Sequence, residues 1–195
     1  MKLSSLNKGL VAHWTMAQDS LKGSLLADKT PYENDGTIYG ATFTTDRMGQ
    51  PNKAMSFDGV NDYIDCGNNK DLYAANEITV SAWVNPVSFS NYLNTITSTG
   101  RDNYASGYNL WITNGGRLQS RIKTSSTDVN DIGISLTTSG TVSLNNWSFV
   151  CFTYSISQDI WKHFINGSED GNTDAKGSIK YFYPKTNFTI GTMSY

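Results

Sequence analysis

The sequence predicts an all-β protein, folded as a two-sheet antiparallel β-sandwich. Apolar and polar residues alternate along most of the chain, and no long stretch has the 3.6-residue apolar period of a helix. Roughly a dozen short segments of this kind recur about every 8–12 residues, a spacing typical of sandwiches. Turn pairs such as Asp58-Gly59 and Asn166-Gly167 separate them. Together these features favour many short strands over helices.

The clearest predicted strand runs from Glu77 to Asn85, where apolar and polar side chains alternate. Pro86 ends it, because proline has no N–H to donate to a strand ladder. The hairpin turn Asn114-Gly115-Gly116 joins two further strands. In all, the pattern predicts additional strands at 9–16, 37–39, 54–57, 63–66, 94–98, 108–113, 118–123, 141–144, 147–154, 161–165 and 187–191.

Composition excludes several classes of function. The formal net charge is −2, whereas a phosphate-binding protein needs a basic face, so no nucleic-acid partner is expected. The apolar runs are only a few residues long, so no membrane insertion is expected. The N-terminal residues lack the apolar segment of a signal peptide. Cys66 and Cys151 could pair, although two buried thiols are the favoured interpretation.

Eight short motifs occur in a recognisable order along nearly the whole chain. They are GLVAHW (9–14), NDGT (34–37) before Gly40-Ala41, SFDGVNDYI (56–64), ITVSAWV (78–84), YNLW (108–111), NW to TY (146–154), FING (164–167) and FTIG (188–191). In this order they resemble the laminin-G-like jelly roll of the concanavalin-A-like lectin/glucanase superfamily. The resemblance implies one jelly-roll domain over residues 9–195, after a lead-in at 1–8. Trp83 and Trp147 are predicted to fill the space between its two sheets.

The end of the sequence departs from this family pattern. In the family, one more strand follows the segment that matches Ile190-Gly191 and closes the sandwich beside the first strand, whereas this sequence stops at Tyr195. We therefore expect the final closing strand to be missing from this chain and the domain to continue beyond Tyr195. An edge left open in this way could pair with a strand of a partner.

Enzymatic chemistry is not expected. Glucanases of the superfamily carry a Glu-x-Asp-x-x-Glu strand, but none of Glu33, Glu77 and Glu169 begins this pattern. Only Glu33 has an Asp two residues later, and Ile38 stands where the second Glu would be. The two histidines, His13 and His163, have no acid or thiol at a suggestive spacing, which also argues against nucleophilic catalysis and a zinc site. The chain is therefore predicted to have no catalytic residues.

Calcium is the metal that the resemblance implies. Many relatives of this fold hold one structural calcium near the loop that matches residues 28–36, where Asp28, Asn34 and Asp35 could supply oxygen ligands. The alternative is that Asp28 and Asp35 are turn residues whose side chains bond their own backbone, and this alternative is favoured.

Carbohydrate is the ligand class considered for the chain. Sugars bind where an aromatic ring lies beside polar side chains. Around the hairpin at 108–123, the candidate ligand-binding residues are Arg101, Tyr104, Tyr108, Trp111 and Arg121. The alternative is that alternation turns half of these rings into the core. Leu110 and Ile112 point to the opposite face of their strand from Trp111. Either Trp111 or the pair Leu110 and Ile112 is therefore expected to be buried.

The sequence thus favours a non-enzymatic, lectin-like surface module whose partners are a glycan or other subunits of a surface assembly. Modules that this chain resembles usually act outside cells, yet the sequence begins at Met1 without an export signal. A phage or virus particle reconciles the two facts, so we expect a decoration or fibre protein on the virion surface, involved in host-glycan attachment or particle stabilisation. The alternatives are a secreted or cell-surface carbohydrate-binding or adhesion module and, at lower weight, a glycoside hydrolase.

Overall fold

The computed structural model describes residues 8–89, 93–100, 107–124, 133–181 and 186–192. Two single-turn 3-10 helices lie at Gln18–Ser20 and Lys70–Leu72. The strands are β1 Leu21–Lys22, β2 Leu25–Leu26, β3 Gly36–Tyr39, β4 Thr42–Thr44, β5 Ala54–Ser56, β6 Tyr63–Asp65, β7 Glu77–Val84, β8 Leu93–Ser98, β9 Tyr108–Thr113, β10 Leu118–Ile122, β11 Ile134–Thr137, β12 Ser148–Ser155, β13 Ile160–Ile165, β14 Ser168–Thr173 and β15 Thr189–Ile190.

These strands form two principal antiparallel sheets. Among the described residues, the large sheet has nine strands in the order β1-β2-β3-β6-β15-β8-β9-β10-β11, and the small sheet has four in the order β14-β13-β12-β7. The hairpin β4-β5 forms a separate two-stranded sheet. The predicted all-β sandwich is confirmed, and no helix in the described part of the chain is long and apolar enough to cross a bilayer.

Alternation along the strands places the core between the two large layers. In β12, Val150, Phe152 and Tyr154 are fully buried, whereas the residues between them face outward. The large sheet meets them with Leu110, Leu118 and Ile122, which are also fully buried. Cys66 is buried and Cys151 half-buried, and both are free thiols, as expected. Burial raises the pKa of the Cys66 thiol, so it behaves as an apolar core group.

One polar cluster crosses this apolar core and joins the two sheets. Trp161 of β13 donates its indole N–H to Ser120 Oγ of β10 over 2.9 Å, and Ser120 Oγ lies 2.6 Å from His163 Nε2. Since the indole uses a lone pair of the hydroxyl, the hydroxyl proton can be donated to Nε2 of a neutral imidazole. His163 is fully buried, and burial lowers its pKa to about 4.

Several sequence predictions need correction. The predicted first strand at 9–16 is not a strand but a segment with one isolated bridge, between Trp14 and Asp28. The strand predicted at 141–144 is absent from the described residues, and β11 lies just before it. Trp83 does not fill the core, since 46% of its surface is exposed on the outer face of the small sheet. Trp147 is half-buried and lies just before β12.

The end of the described chain lies inside the large sheet. β15 pairs with both β6 and β8, through Thr189 and Ile190. Gly191 follows with φ of 90°, and a side chain there would collide with the ring of Phe57, so glycine is required at this point. The closing strand expected after this position stays a prediction.

Candidate functional site

Trp111 and Arg121, two of the predicted sugar-binding residues, do lie together on the outer face of the large sheet. The Arg121 guanidinium carbon is 4.8 Å from the centre of the Trp111 ring. The indole N–H of Trp111 donates to Gln119 Oε1, and the Gln119 amide donates to Thr137 Oγ1, each over 2.6 Å. Trp111 is nevertheless fully buried, so its ring cannot serve as an open stacking platform for a sugar.

The other predicted sugar-binding residues do not join this pair. Tyr108 belongs to the core, where it is 2% exposed and its hydroxyl donates to the Leu72 carbonyl. Its assignment to a ligand site is therefore corrected: residues 108, 110 and 112 share the face that packs on the small sheet. Arg101 and Tyr104 lie outside the described residues, so their role stays a prediction.

The three predicted calcium ligands are brought together, but as a hydrogen-bonded turn. Asp28 Oδ1 accepts hydrogen bonds from the backbone N–H groups of His13 and Thr30. Asp28 Oδ2 accepts from the Thr30 hydroxyl and the Asn34 N–H. Burial opposes ionisation of Asp28, but these hydrogen bonds outweigh it and hold the pKa of the carboxyl below its ordinary value. The carboxylate thus ties the segment before β1 to the loop before β3.

This donor set does not fit calcium. Both lone pairs of each Asp28 oxygen already accept from protein donors. Asp35 Oδ1 accepts from the Asp28 N–H, and Asp35 Oδ2 lies 3.3 Å from Lys22 Nζ. Asn34 Oδ1 is buried without a hydrogen-bond partner among the described residues. Even with the lone pairs that Asp35 keeps free, these three side chains supply far fewer than the six to eight oxygens that calcium takes. No group of three or more His, Cys, Asp or Glu in the described part of the chain could hold a metal.

We therefore expect calcium to have no effect on stability. Thermal unfolding of the protein in calcium chloride and in EDTA should give the same Tm, because Asp28 is saturated by its own backbone. A fall in Tm of several degrees on adding EDTA would instead support the calcium assignment of Asp28, Asn34 and Asp35.

Two tyrosines form an exposed aromatic pair elsewhere on the outer face of the large sheet. Tyr39 of β3 and Tyr63 of β6 are direct cross-strand partners. Their rings stack with centres 4.6 Å apart and planes 12° apart, and Tyr39 is 44% exposed. The pairing of β2 with β3 stops at Thr37, so within the described residues no strand pairs with Tyr39 on its other side. We call these two residues the tyrosine pair.

Polar groups lie next to the tyrosine pair. Asp65 of β6 and Thr37 of β3 are cross-strand partners on the same face as the tyrosine pair. Each lies two residues along its strand from the tyrosine of that strand. Asp65 is held in place by the Gly67 N–H and the Asn187 side-chain amide, each over 2.8 Å. Partial burial, with smaller contributions from Tyr39 and Asp65, raises the pKa of Tyr63 above its ordinary value. A tyrosine hydroxyl is a donor at neutral pH in any case. The surface therefore offers rings, hydroxyl donors and a fixed carboxylate.

A further carboxylate, that of Asp62, lies beside Gly40, the residue that follows Tyr39. Asp62 immediately precedes Tyr63, and its Oδ1 occupies the space that a side chain on Gly40 would need. Its Oδ2 accepts the Asp58 N–H over 2.9 Å.

Sequence reasoning missed the tyrosine pair, because residues 24 positions apart meet through a register that no local motif encodes.

The family of the chain is shown by a family model for laminin-G-type domains that matches residues 58–194. The chain belongs to the concanavalin A-like lectin/glucanases superfamily. This confirms the resemblance drawn from the motifs. No curated protein sequence matches the chain.

Solved structures share the fold at low sequence identity. Domain 4 of AbnA, a GH43 extracellular arabinanase from Geobacillus stearothermophilus in complex with arabinotriose, is 18% identical with a TM-score of 0.61, over 95% of this chain and 84% of that one. The binding domain of botulinum neurotoxin serotype C1 is 15% identical with a TM-score of 0.63, over 95% of this chain but only 43% of its own. The CBM40 of the Ruminococcus gnavus IT-sialidase, bound to α2,3-sialyllactose, is 15% identical with a TM-score of 0.50, over 80% of this chain and 76% of that one.

Proposed function

We propose that the chain is a non-enzymatic carbohydrate-binding module that binds sugar at the tyrosine pair. The observation that carries the proposal is the exposed, parallel stack of Tyr39 and Tyr63 beside Thr37 and Asp65. The C–H face of a sugar packs on aromatic rings, while its hydroxyls bond to carboxylates and side-chain hydroxyls. Because the rings and the Asp65 carboxylate stand on paired strands, little conformational entropy is lost when a sugar binds.

The similar structures support this class of ligand. Domain 4 of the arabinanase was solved with arabinotriose, and the CBM40 with sialyllactose, so this fold accommodates oligosaccharides in other proteins. Each of these is a domain of an enzyme, and the toxin match is a binding domain. A binding role that is separate from catalysis is therefore compatible with the fold.

The ionisation of the carboxyl groups supports a role without catalysis. A glycosidase needs a carboxylic acid whose pKa is raised so that it can donate a proton near neutral pH. Among the described carboxyl groups whose pKa departs from the ordinary value, every shift is downward: Asp19, Asp28, Asp58, Glu77 and Glu169. His163, a potential base, is sealed in the core with its pKa lowered to about 4.

The proposal is tested by replacing one ring of the pair. A glycan array would first identify the best neutral oligosaccharide, and titration calorimetry would then measure its affinity. Tyr39→Ala should weaken binding by about fivefold or more, since loss of a stacking ring at a binding site costs upwards of roughly 1 kcal/mol. Tyr32→Ala is the matched control, because Tyr32 is a similarly exposed tyrosine, 42% accessible, in the loop before β3.

Either of two results would contradict the proposal. One is an array on which no glycan binds. The other is an affinity that Tyr39→Ala and Tyr32→Ala leave equally unchanged.

The setting of the module is a separate proposal. We place it on a virion surface, as a decoration or fibre protein, with a secreted or cell-surface module as the alternative. Mass spectrometry of purified particles and of culture medium distinguishes the two settings.

A further inference from the structure

A tryptophan and an arginine meet on the opposite side of the sandwich from the tyrosine pair. Trp83 of β7 faces outward from the small sheet and is 46% exposed. It stands directly across from Phe149 of β12, with ring centres 5.4 Å apart. From the side of the β4-β5 hairpin, the guanidinium carbon of Arg47 lies 4.5 Å from the centre of the Trp83 ring.

Arg47 is held in this position without a carboxylate. It stands in the turn between β4 and β5, where its Nη1 donates to Met48 Sδ over 3.4 Å. The neighbouring Asp46 carboxylate is used within the turn, since its Oδ1 accepts the N–H groups of Met48 and Gln50. None of the ion pairs within the described ranges involves Arg47.

This arrangement prepares the guanidinium for an anion. A guanidinium that lies over an aromatic ring uses its flat face for the contact, and its N–H donors point outward in the plane. Two parallel N–H groups match the two oxygens of a carboxylate, and this bidentate bond is stronger than a neutral hydrogen bond.

The groups around Arg47 suit a sugar that carries the carboxylate. The exposed part of the Trp83 indole offers an apolar surface for sugar C–H groups. Two residues earlier on the same face of β7, Ser81 presents an exposed hydroxyl. On the outer face of the small sheet, a ring and a hydroxyl thus lie with a guanidinium that has no ion pair within the described residues.

We propose that Arg47 and Trp83 form a second binding site, which takes a carboxylate-bearing sugar. The site lies on the outer face of the small sheet, whereas the tyrosine pair lies on the outer face of the large sheet. The two sites therefore share no residue, and this inference does not rest on the tyrosine pair. One molecule can then hold an acidic and a neutral sugar on opposite faces.

The test compares two sugars that differ by one acidic residue. α2,3-Sialyllactose and lactose are titrated separately into the protein, and affinities are measured by calorimetry. Sialyllactose should bind at least tenfold more tightly than lactose, and Arg47→Gln should remove that difference. Arg47→Lys should recover only part of it, because lysine keeps the charge but not the bidentate geometry. Arg117→Gln, at another exposed arginine in a turn, should leave the difference unchanged.

Equal affinities of the wild-type protein for lactose and sialyllactose would overturn the second site, as would an unchanged sialyllactose affinity in Arg47→Gln. NMR of the wild-type protein gives a measurement that does not depend on the folding of a variant. Sialyllactose should shift the Trp83 indole N–H signal, and an unshifted signal would overturn the site. Tyr39→Ala should retain sialyllactose binding, so failure at one site is distinguishable from failure at the other.

Discussion

Asp28→Ala is expected to lower the free energy of unfolding by roughly 3–5 kcal/mol, because it removes a buried charged acceptor and leaves its partners unpaired. Asp28 is 7% exposed and accepts from the N–H groups of His13, Thr30 and Asn34. The substitution leaves these three donors without their acceptor, and it also removes the bond from the Thr30 hydroxyl. Urea unfolding followed by tryptophan fluorescence would measure the loss.

A control comes from a similar carboxylate on the surface. Asp58 Oδ1 accepts the N–H groups of Val60, Asn61 and Asp62, but this turn is exposed and water can replace the carboxylate. Asp58→Ala should therefore cost clearly less than Asp28→Ala. Equal losses in the two variants would show that burial of the Asp28 network contributes nothing.

The stability of the protein should fall by about 3 kcal/mol between pH 6.5 and pH 4 through His163 alone. Burial lowers the pKa of this histidine from 6.5 to about 4 in the folded protein. As the pH falls below 6.5, His163 becomes protonated in the unfolded chain but stays neutral in the folded core, so folding becomes less favourable. The contribution of His163 is fully present above pH 6.5 and is lost by about pH 4.

The measurement is the free energy of unfolding across this pH range for two variants. His163→Gln should flatten the dependence by about 3 kcal/mol relative to the wild-type protein. The comparison is between the slopes of unfolding free energy against pH. It is necessary because carboxylates with a lowered pKa, such as Asp28, also make the protein less stable as the pH falls. His13→Gln, at an exposed histidine, should keep the wild-type slope. An unaltered slope in His163→Gln would contradict the role assigned to burial.

The sandwich could be predicted because its strands carry their own pattern. β9 lies at Tyr108–Thr113, where alternation and the following turn placed it, and β7 matches its predicted strand to within one residue. The segment at 9–16 alternates too, yet it forms one bridge with Asp28. There the Asp28 carboxylate, rather than a neighbouring strand, binds the His13 N–H. Alternation alone cannot distinguish these two outcomes.

The candidate sites were harder to predict, for a physical reason. Alternation divides a strand into two faces, but it does not say whether the outer face is covered. Trp83 and Trp111 both point away from the core, yet the first is 46% exposed and the second is fully buried. The tyrosine pair and the Arg47–Trp83 contact each join residues that are distant in sequence. Their formation depends on register and hairpin placement, which are non-local.

We propose that sugar binds on the outer face of the large sheet at the tyrosine pair. It is tested most directly by NMR, with chemical-shift changes mapped as the best neutral oligosaccharide from the glycan array is added. We predict that the largest changes cluster on Tyr39, Tyr63, Asp62 and Asp65. Changes that cluster elsewhere and leave these four residues unshifted would contradict the account.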